Sequence, residues 1–265
     1  MQKAVEIKSR GLALRGMLHI PDNKQGKMPV CCMFHGFTGN KTEAHFLFVK
    51  LSRILEKKGI ASVRFDFGGS GESDGDFFDM TISSELMDAK AILGFMKSLE
   101  FADTDKLGLV GLSMGGAVAG LLAGDCREDV RALCLWAPAR NMRQLYLARD
   151  SRAFDLTELN EEDKKKLLER GYKDVYGLKL STDFLYDAES LDLVGRAAAF
   201  DKNVLILHGE KDRMVPLFNT DHYMRAYGDK AKCIVIKDAD HVFSSLPWEK
   251  ELLEHTADFL HSELL

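Results

Sequence analysis

The chain holds two serines set between glycines in the spacing of a nucleophile turn, Gly111-Leu112-Ser113-Met114-Gly115 and Gly71-Glu72-Ser73-Asp74-Gly75. A serine hydroxyl is a weak nucleophile near neutral pH, so it needs a sharp turn to expose it and a base to take its proton. Context separates the two pentapeptides. The first follows the apolar run Leu107–Val110 and opens into Gly116-Ala117-Val118-Ala119-Gly120-Leu121-Leu122, a strand-turn-helix order that would lift Ser113 above a sheet. The second lies in a polar, glycine-rich stretch where Glu72 and Asp74 would repel an alkoxide and any anionic intermediate. Ser113 is the expected nucleophile, and Ser73 is expected to satisfy loop backbone groups.

Eight histidines compete for the role of base. His241 closes Asp238-Ala239-Asp240-His241, just past the last apolar run, where a loop at the carboxyl edge of a sheet would bring it to Ser113. His208 reads as a strand-end structural residue and His35 as part of a glycine turn. His222, His255 and His261 fall on helices, while His19 and His45 read as surface or packing residues. The group that orients the base should come from another strand end. His208-Gly209-Glu210-Lys211-Asp212, directly after the run 203–207, offers Asp212, with Glu210 as a turn residue. Asp240 precedes His241, but adjacent side chains at a strand end diverge, so it is expected to bond nearby backbone. Donors for a tetrahedral oxyanion are commonly backbone N–H groups. The turn His35-Gly36-Phe37 after the run 30–34 supplies the N–H of Phe37, and Met114 supplies the second.

These residues need a scaffold that presents strand ends side by side. Stretches 4–8 and 12–20 read as two leading antiparallel strands, the second ended by Pro21-Asp22. Apolar runs at 30–34, 60–66, 107–111, 130–136, 203–207 and 232–236 read as parallel strands buried on both faces. Helices are predicted near 43–58, 81–98, 114–124, 217–227 and 247–264, with Gly59 and Gly228 as stops. The alternation predicts an α/β fold, a mostly parallel twisted sheet with helices on both faces. One connection is far longer than a crossover requires. It predicts a core of residues 1–138 and 201–265 carrying a helical lid insertion over 139–200. Within it, Asn160, the acids Glu161–Asp163, the bases Lys164–Lys166 and Arg170, and Gly171 predict a helix whose cap, charge order and stop all agree with the macrodipole.

A net charge of -5 argues against the broad basic surface that nucleic-acid binding needs, and no window is apolar enough to predict a membrane span. The scattered charges of the first residues do not resemble an export signal, so a cytoplasmic location is expected. Five cysteines without C-x-x-C spacing read as reduced, buried thiols, and no cluster has the spacing of a zinc site. No metal and no organic cofactor is expected. A small-molecule ester is the expected partner, with a homodimer left open.

GLSMGG, HGFTGN, RFDFGGSGESDG, HGEKD and DADH together resemble the small bacterial α/β-hydrolase carboxylesterases, especially the feruloyl (cinnamoyl) esterase group. The order Ser113, Asp212, His241 along the chain matches that fold. The resemblance implies Ser113 as nucleophile, Asp212 and His241 as its acid and base, and Phe37 and Met114 as oxyanion donors. It also implies a substrate-binding lid in the insertion. There Phe154, Tyr172, Tyr176, Phe184 and Tyr186 could face a phenyl ring, or else pack the lid's own core. Leu112 and Met114 stand where feruloyl esterases often have His and Gln, which leaves monoacylglycerols and short acyl esters as alternative substrates, ahead of peptides and thioesters. A non-catalytic binding module would be expected to have lost a triad member, and none is lost.

Overall fold

The computed structural model describes residues 1–22, 26–150 and 155–265. An eight-stranded sheet runs through the middle in the order β1-β2-β4-β3-β5-β6-β11-β12. Strands β1 (Gln2–Ser9) and β2 (Leu12–His19) form an antiparallel hairpin, and β2 also pairs antiparallel with β4 (Ala61–Phe65). All other neighbours are parallel: β3 (Met28–Phe34), β5 (Ala102–Leu112), β6 (Ala132–Trp136), β11 (Val204–Gly209) and β12 (Ala231–Ile236).

The parallel strands are apolar without alternation because both faces are covered. In β3, Val30, Cys32 and Phe34 enter one core while Cys31 and Met33 enter the other, following the two-residue period of a strand. The adjacent thiols therefore face opposite layers, and all five cysteines are free. One layer holds α1 (Leu47–Lys57) and α9 (Leu246–Leu264). The other holds α2 (Ile82–Ser98), α3 (Met114–Asp125) and α8 (Phe218–Tyr227). This is the mostly parallel sheet with helices on both faces that the apolar runs predict, and it agrees with the α/β-hydrolase fold that the motif resemblance implies. The largest boundary difference is in β5, which begins at Ala102 rather than 107. Its first residues, Asp103–Lys106, are polar and partly exposed, so hydropathy hides them.

The segment between β6 and β11 contains more strand than the predicted helical insertion. It comprises α4 (Met142–Leu147), β7 (Ala148–Asp150), β8 (Asp155–Glu158), α5 (Glu161–Arg170), β9 (Tyr172–Val175), β10 (Leu178–Ser181), α6 (Thr182–Ser190) and α7 (Leu193–Ala197). Strands β7 and β8 pair antiparallel, as do β9 and β10. Ribbons of three or four residues give too few alternations to stand out as a period. The predicted helix is α5, with Asn160 accepting from the Asp163 N–H at 2.9 Å and Gly171 at φ 81° closing it. Three carbonyls at the end of α4 and just after it, Leu145, Tyr146 and Ala148, accept hydrogen bonds from the Lys173 ammonium on β9. That cation satisfies groups a helix C-terminus leaves orphaned and fixes the ribbon to the end of α4.

Buried charge ties the hairpin to α2. Arg10 donates to Asp88 through two nitrogens, at 3.0 and 2.8 Å, and the Gly68 N–H donates to the same carboxylate. One turn away Glu85 is buried, with one carboxyl oxygen lacking a hydrogen-bond partner among the described residues. Burial, reinforced by Asp88, pushes its pKa well above the usual carboxylate range, so the folded state holds the Glu85 proton more tightly than the unfolded chain does. The unfolded chain loses that proton from about pH 4.3 upward, so the folded state binds more protons there and stability falls as pH rises. Glu85→Gln should remove this dependence. Its melting temperature, measured between about pH 5 and pH 8 by circular dichroism, should gain on the wild type as pH rises, by about 2–4 °C for each kcal/mol recovered. A constant difference across that range would show that Glu85 stays ionised.

Candidate active site

Strand β5 passes into α3 through Ser113, whose backbone sits at φ 56° and ψ -118°. A non-glycine residue held there costs on the order of 1–3 kcal/mol, so its surroundings must impose it. They do so from three sides. The Ser113 N–H donates to the Trp136 carbonyl at 2.8 Å, and the Ser113 carbonyl accepts from the N–H groups of Ala139 and Ala117 at 3.0 and 3.1 Å. Gly111 and Gly115 leave room for the reversal. A Cβ on the first would run into the Gly115 carbonyl, and one on the second into the carbonyls of Phe34 and His35. Ser113 stands at the helix cap position without using its side chain as a cap, so the hydroxyl remains available above the turn. Ser73 differs: its hydroxyl donates to the Asp66 carbonyl at 2.7 Å and accepts from the Arg15 N–H at 2.9 Å.

Asp212 lies three residues beyond β11 and is buried. One carboxylate oxygen accepts from the N–H groups of Met214 and Val215, both at 2.8 Å. The other meets His241 Nδ1 at 2.6 Å and His208 Nε2 at 3.2 Å. Burial pushes the carboxyl up, but the hydrogen bonds from His208 and His241 outweigh it and hold Asp212 at about 2. Facing a carboxylate, His241 Nδ1 must carry a proton, which leaves Nε2 as its basic nitrogen. Asp240 turns elsewhere, accepting from both the N–H and the hydroxyl of Ser244.

Two histidines filed from sequence as structural or packing residues touch this arrangement. His208 is fully buried, with Nδ1 at 2.7 Å from the Thr220 hydroxyl and Nε2 at 2.8 Å from the Val215 carbonyl. Nε2 therefore donates, and it shares Asp212 with His241. His45 reaches the Val242 carbonyl with Nε2 at 2.8 Å and Glu249 with Nδ1 at 2.7 Å, while Lys50 pairs with Glu249. It thereby fixes the residue after His241. His45 and Glu249 are 204 residues apart, and no local pattern signals their meeting.

Ser113 and His241 open onto one cavity of about 460 Å³. Phe37 lines it from the loop after β3. That loop is held by Glu43, which accepts from the Gly36 N–H at 2.5 Å and from the Ala44 N–H at 3.0 Å. Gly36 packs against the elbow, an added Cβ lying 3.4 Å from that of Ser113. The Phe37 N–H has no acceptor among the described residues, and Met114, as the first residue of α3, has an N–H without an intrahelical partner.

Of the five lid aromatics, Tyr176 reaches the cavity wall. Phe184 is buried, 5.9 Å from the Phe37 ring and 6.4 Å from that of Tyr146, and so packs behind the wall. Tyr172 lies under the Arg170 guanidinium at 3.9 Å, and Tyr186 is 56% exposed; neither lines the cavity. Phe154 lies outside the described residues. The wall that aromatic content did not reveal comes from Arg140, Met142 and Leu145, just after β6, and from Met214–Pro216. Proximity to a strand end was the available signal. Among the described residues no group of three His, Cys, Asp or Glu could hold a metal ion, and no helix is long and apolar enough to cross a membrane.

Residues 27–172 match the family model described as serine aminopeptidase, S33. The chain resembles the structure of Est1E from Butyrivibrio proteoclasticus with ferulic acid bound, with a TM-score of 0.85 and 25% identity over 98% of this chain and 99% of that one. It is 26% identical to the human mitochondrial palmitoyl-protein thioesterase ABHD10, covering 91% of this chain and 75% of the relative. An uncharacterised 31.7 kDa protein of Escherichia coli is 27% identical over 60% of this chain, and the chain spans about half the length of that relative.

Because Asp212 is held at about 2, its interactions favour the folded state above the unfolded carboxylate value near pH 3.9 and are lost as pH falls toward 2. Urea unfolding of the wild type and Asp212→Asn should therefore show a stability difference that shrinks by on the order of 2 kcal/mol between about pH 5 and pH 2. A difference independent of pH would mean that the two histidines do not stabilise the carboxylate.

Proposed function

The chain belongs to the α/β-hydrolase family described as serine aminopeptidase, S33, and we propose that within that family it is a serine carboxylesterase working through an acyl-enzyme. The observation that supports this most directly is the 2.6 Å contact of His241 Nδ1 with Asp212, made by an imidazole that shares its cavity with Ser113. In this reading His241 Nε2 takes the proton from the Ser113 hydroxyl as its oxygen attacks the ester carbonyl. The N–H groups of Phe37 and Met114 receive the negative charge that develops on the carbonyl oxygen. Collapse of the tetrahedral intermediate breaks the bond to the alcohol, which leaves with the proton from His241. Water, deprotonated by the same nitrogen, then attacks the acyl-enzyme and releases the acid and the Ser113 hydroxyl.

An ester fits the cavity better than a peptide with a free amino terminus. Three cationic side chains, Arg140, Lys211 and Arg213, line it against two carboxylates, Glu43 and Asp240, which leaves a substrate ammonium poorly matched. Leu112, Met142, Leu145, Val215 and Tyr176 give the space an apolar wall suited to an acyl chain or an aromatic acid. A feruloyl-type acid is the substrate we favour, since Est1E binds ferulic acid, with short acyl and monoacylglycerol esters second. The segment 139–200 acts in this reading as the lid that shapes the pocket.

Ser113→Ala should lose about four to six orders of magnitude in kcat toward every ester and fail to react with a fluorophosphonate probe, while Ser73→Ala, checked for stability, should keep most of its turnover. Equal losses would overturn the assignment of the nucleophile. Asp212→Asn should lower kcat by about 10⁴-fold, and Asp240→Asn by far less; reversal of that order would reassign the acid. Rates toward methyl ferulate, p-nitrophenyl butyrate, a monoacylglycerol, a palmitoyl thioester and an aminoacyl anilide should rank the last lowest.

A further inference from the structure

Five ionic side chains line the cavity above Ser113, and four are matched within the protein. Glu43 accepts from the N–H groups of Gly36 and Ala44, and Asp240 from Ser244. Lys211 is paired with Asp238, and Arg213 has its own partner. Arg140 is the fifth, and among the described residues its guanidinium has no hydrogen-bond or ion-pair partner.

Its position is set by the elbow itself. The preceding residue, Ala139, is buried, donates its N–H to the Ser113 carbonyl at 3.0 Å and accepts from the Tyr223 hydroxyl at 2.8 Å. The next residue, Asn141, caps α4 by accepting from the Gln144 N–H. Backbone on both sides of Arg140 is thus anchored, and its half-buried side chain stands on the cavity wall beside Met142 and Leu145. A guanidinium drawn partly out of water without a counter-charge is unfavourable, and its planar donor fork fits a carboxylate with two parallel hydrogen bonds.

We propose that Arg140 is a specificity-determining residue that binds a second, free carboxylate on the substrate, so that the preferred esters are those bearing an anionic carboxylate on the acyl or the alcohol part. The inference rests on the carboxylesterase reading for its turnover but not for its binding. A carboxylate is favoured over a phosphate because Glu43 and Asp240 line the same cavity. One guanidinium balances a single charge there, whereas a dianion would face repulsion from both acids.

The test compares matched substrates that differ by that charge: 4-nitrophenyl hydrogen glutarate against its methyl-capped diester for the acyl side, and 4-butyryloxybenzoate against its methyl ester for the alcohol side. The wild type should prefer the acid in one pair. Arg140→Gln should lower that preference in kcat/KM by about 10–100-fold, mainly through KM, the range for losing a charge-assisted hydrogen bond. Arg140→Lys should recover part of it. Arg131→Gln, which removes an exposed guanidinium paired with Glu263, should leave it unchanged. Raised salt should weaken binding of the acid alone. An unchanged preference in Arg140→Gln, or no preference for either acid in the wild type, would overturn the proposal. If no ester is turned over at all, the esterase reading fails, and calorimetric binding of monomethyl glutarate decides the site separately. Binding at least about tenfold tighter to the wild type than to Arg140→Gln supports the site, and equal binding refutes it.

Discussion

Everything near the cavity depends on one backbone reversal, the positive φ at Ser113. Helix α3 can begin directly at the end of β5 because Gly111 and Gly115 let carbonyls approach where any Cβ would collide. The reversal is unfavourable in isolation and is imposed by neighbours in the sheet: Trp136 at the end of β6 accepts the Ser113 N–H, and Ala139 returns a hydrogen bond to its carbonyl. The same two bonds hold the start of the inserted segment against the elbow. Strain at the serine and placement of the cavity wall therefore have one cause.

The other loops at the carboxyl edge are held by polar ties reaching across the sequence. Lys41 bridges buried Asp66 and exposed Glu72, with the Lys41 N–H on the same Asp66 carboxylate, so the loop carrying Phe37 is fastened to the loop after β4. Its far end continues into His45, which spans Glu249 and the Val242 carbonyl. The loop that carries Phe37 and the loop that carries His241 are thus joined directly. Partly buried ties of this kind add little net stability, because desolvation offsets attraction. Their effect here is geometric: they restrict where two loops can stand.

Charge around the cavity is arranged so that matched groups stay quiet. Asp212 satisfies both oxygens with four donors from Met214, Val215, His208 and His241, which keeps it ionised though buried. Glu43 and Asp240 are likewise occupied. Against that background the Arg140 guanidinium, unmatched among the described residues, stands out, and a substrate charge is the natural complement.

Short-range pattern made much of this chain legible. Strand positions followed from uninterrupted Val, Ile and Leu runs, the elbow from small residues after such a run, and α5 from its cap, charge order and terminal glycine, because each depends on neighbours within a few residues. The residue types suited to nucleophile, acid and base could be named at strand ends for the same reason. Sequence did not reveal the ribbons of the insertion, the inward packing of Phe184 or the exposure of Tyr186, since composition says nothing of which way a side chain turns. Nor could it pair His45 with Glu249, or give His208 a share of Asp212. Tertiary structure alone decided which ionic groups found partners and left Arg140 without one among the described residues, because matching charges is a long-range outcome of how the sheet brings distant loops to a common edge.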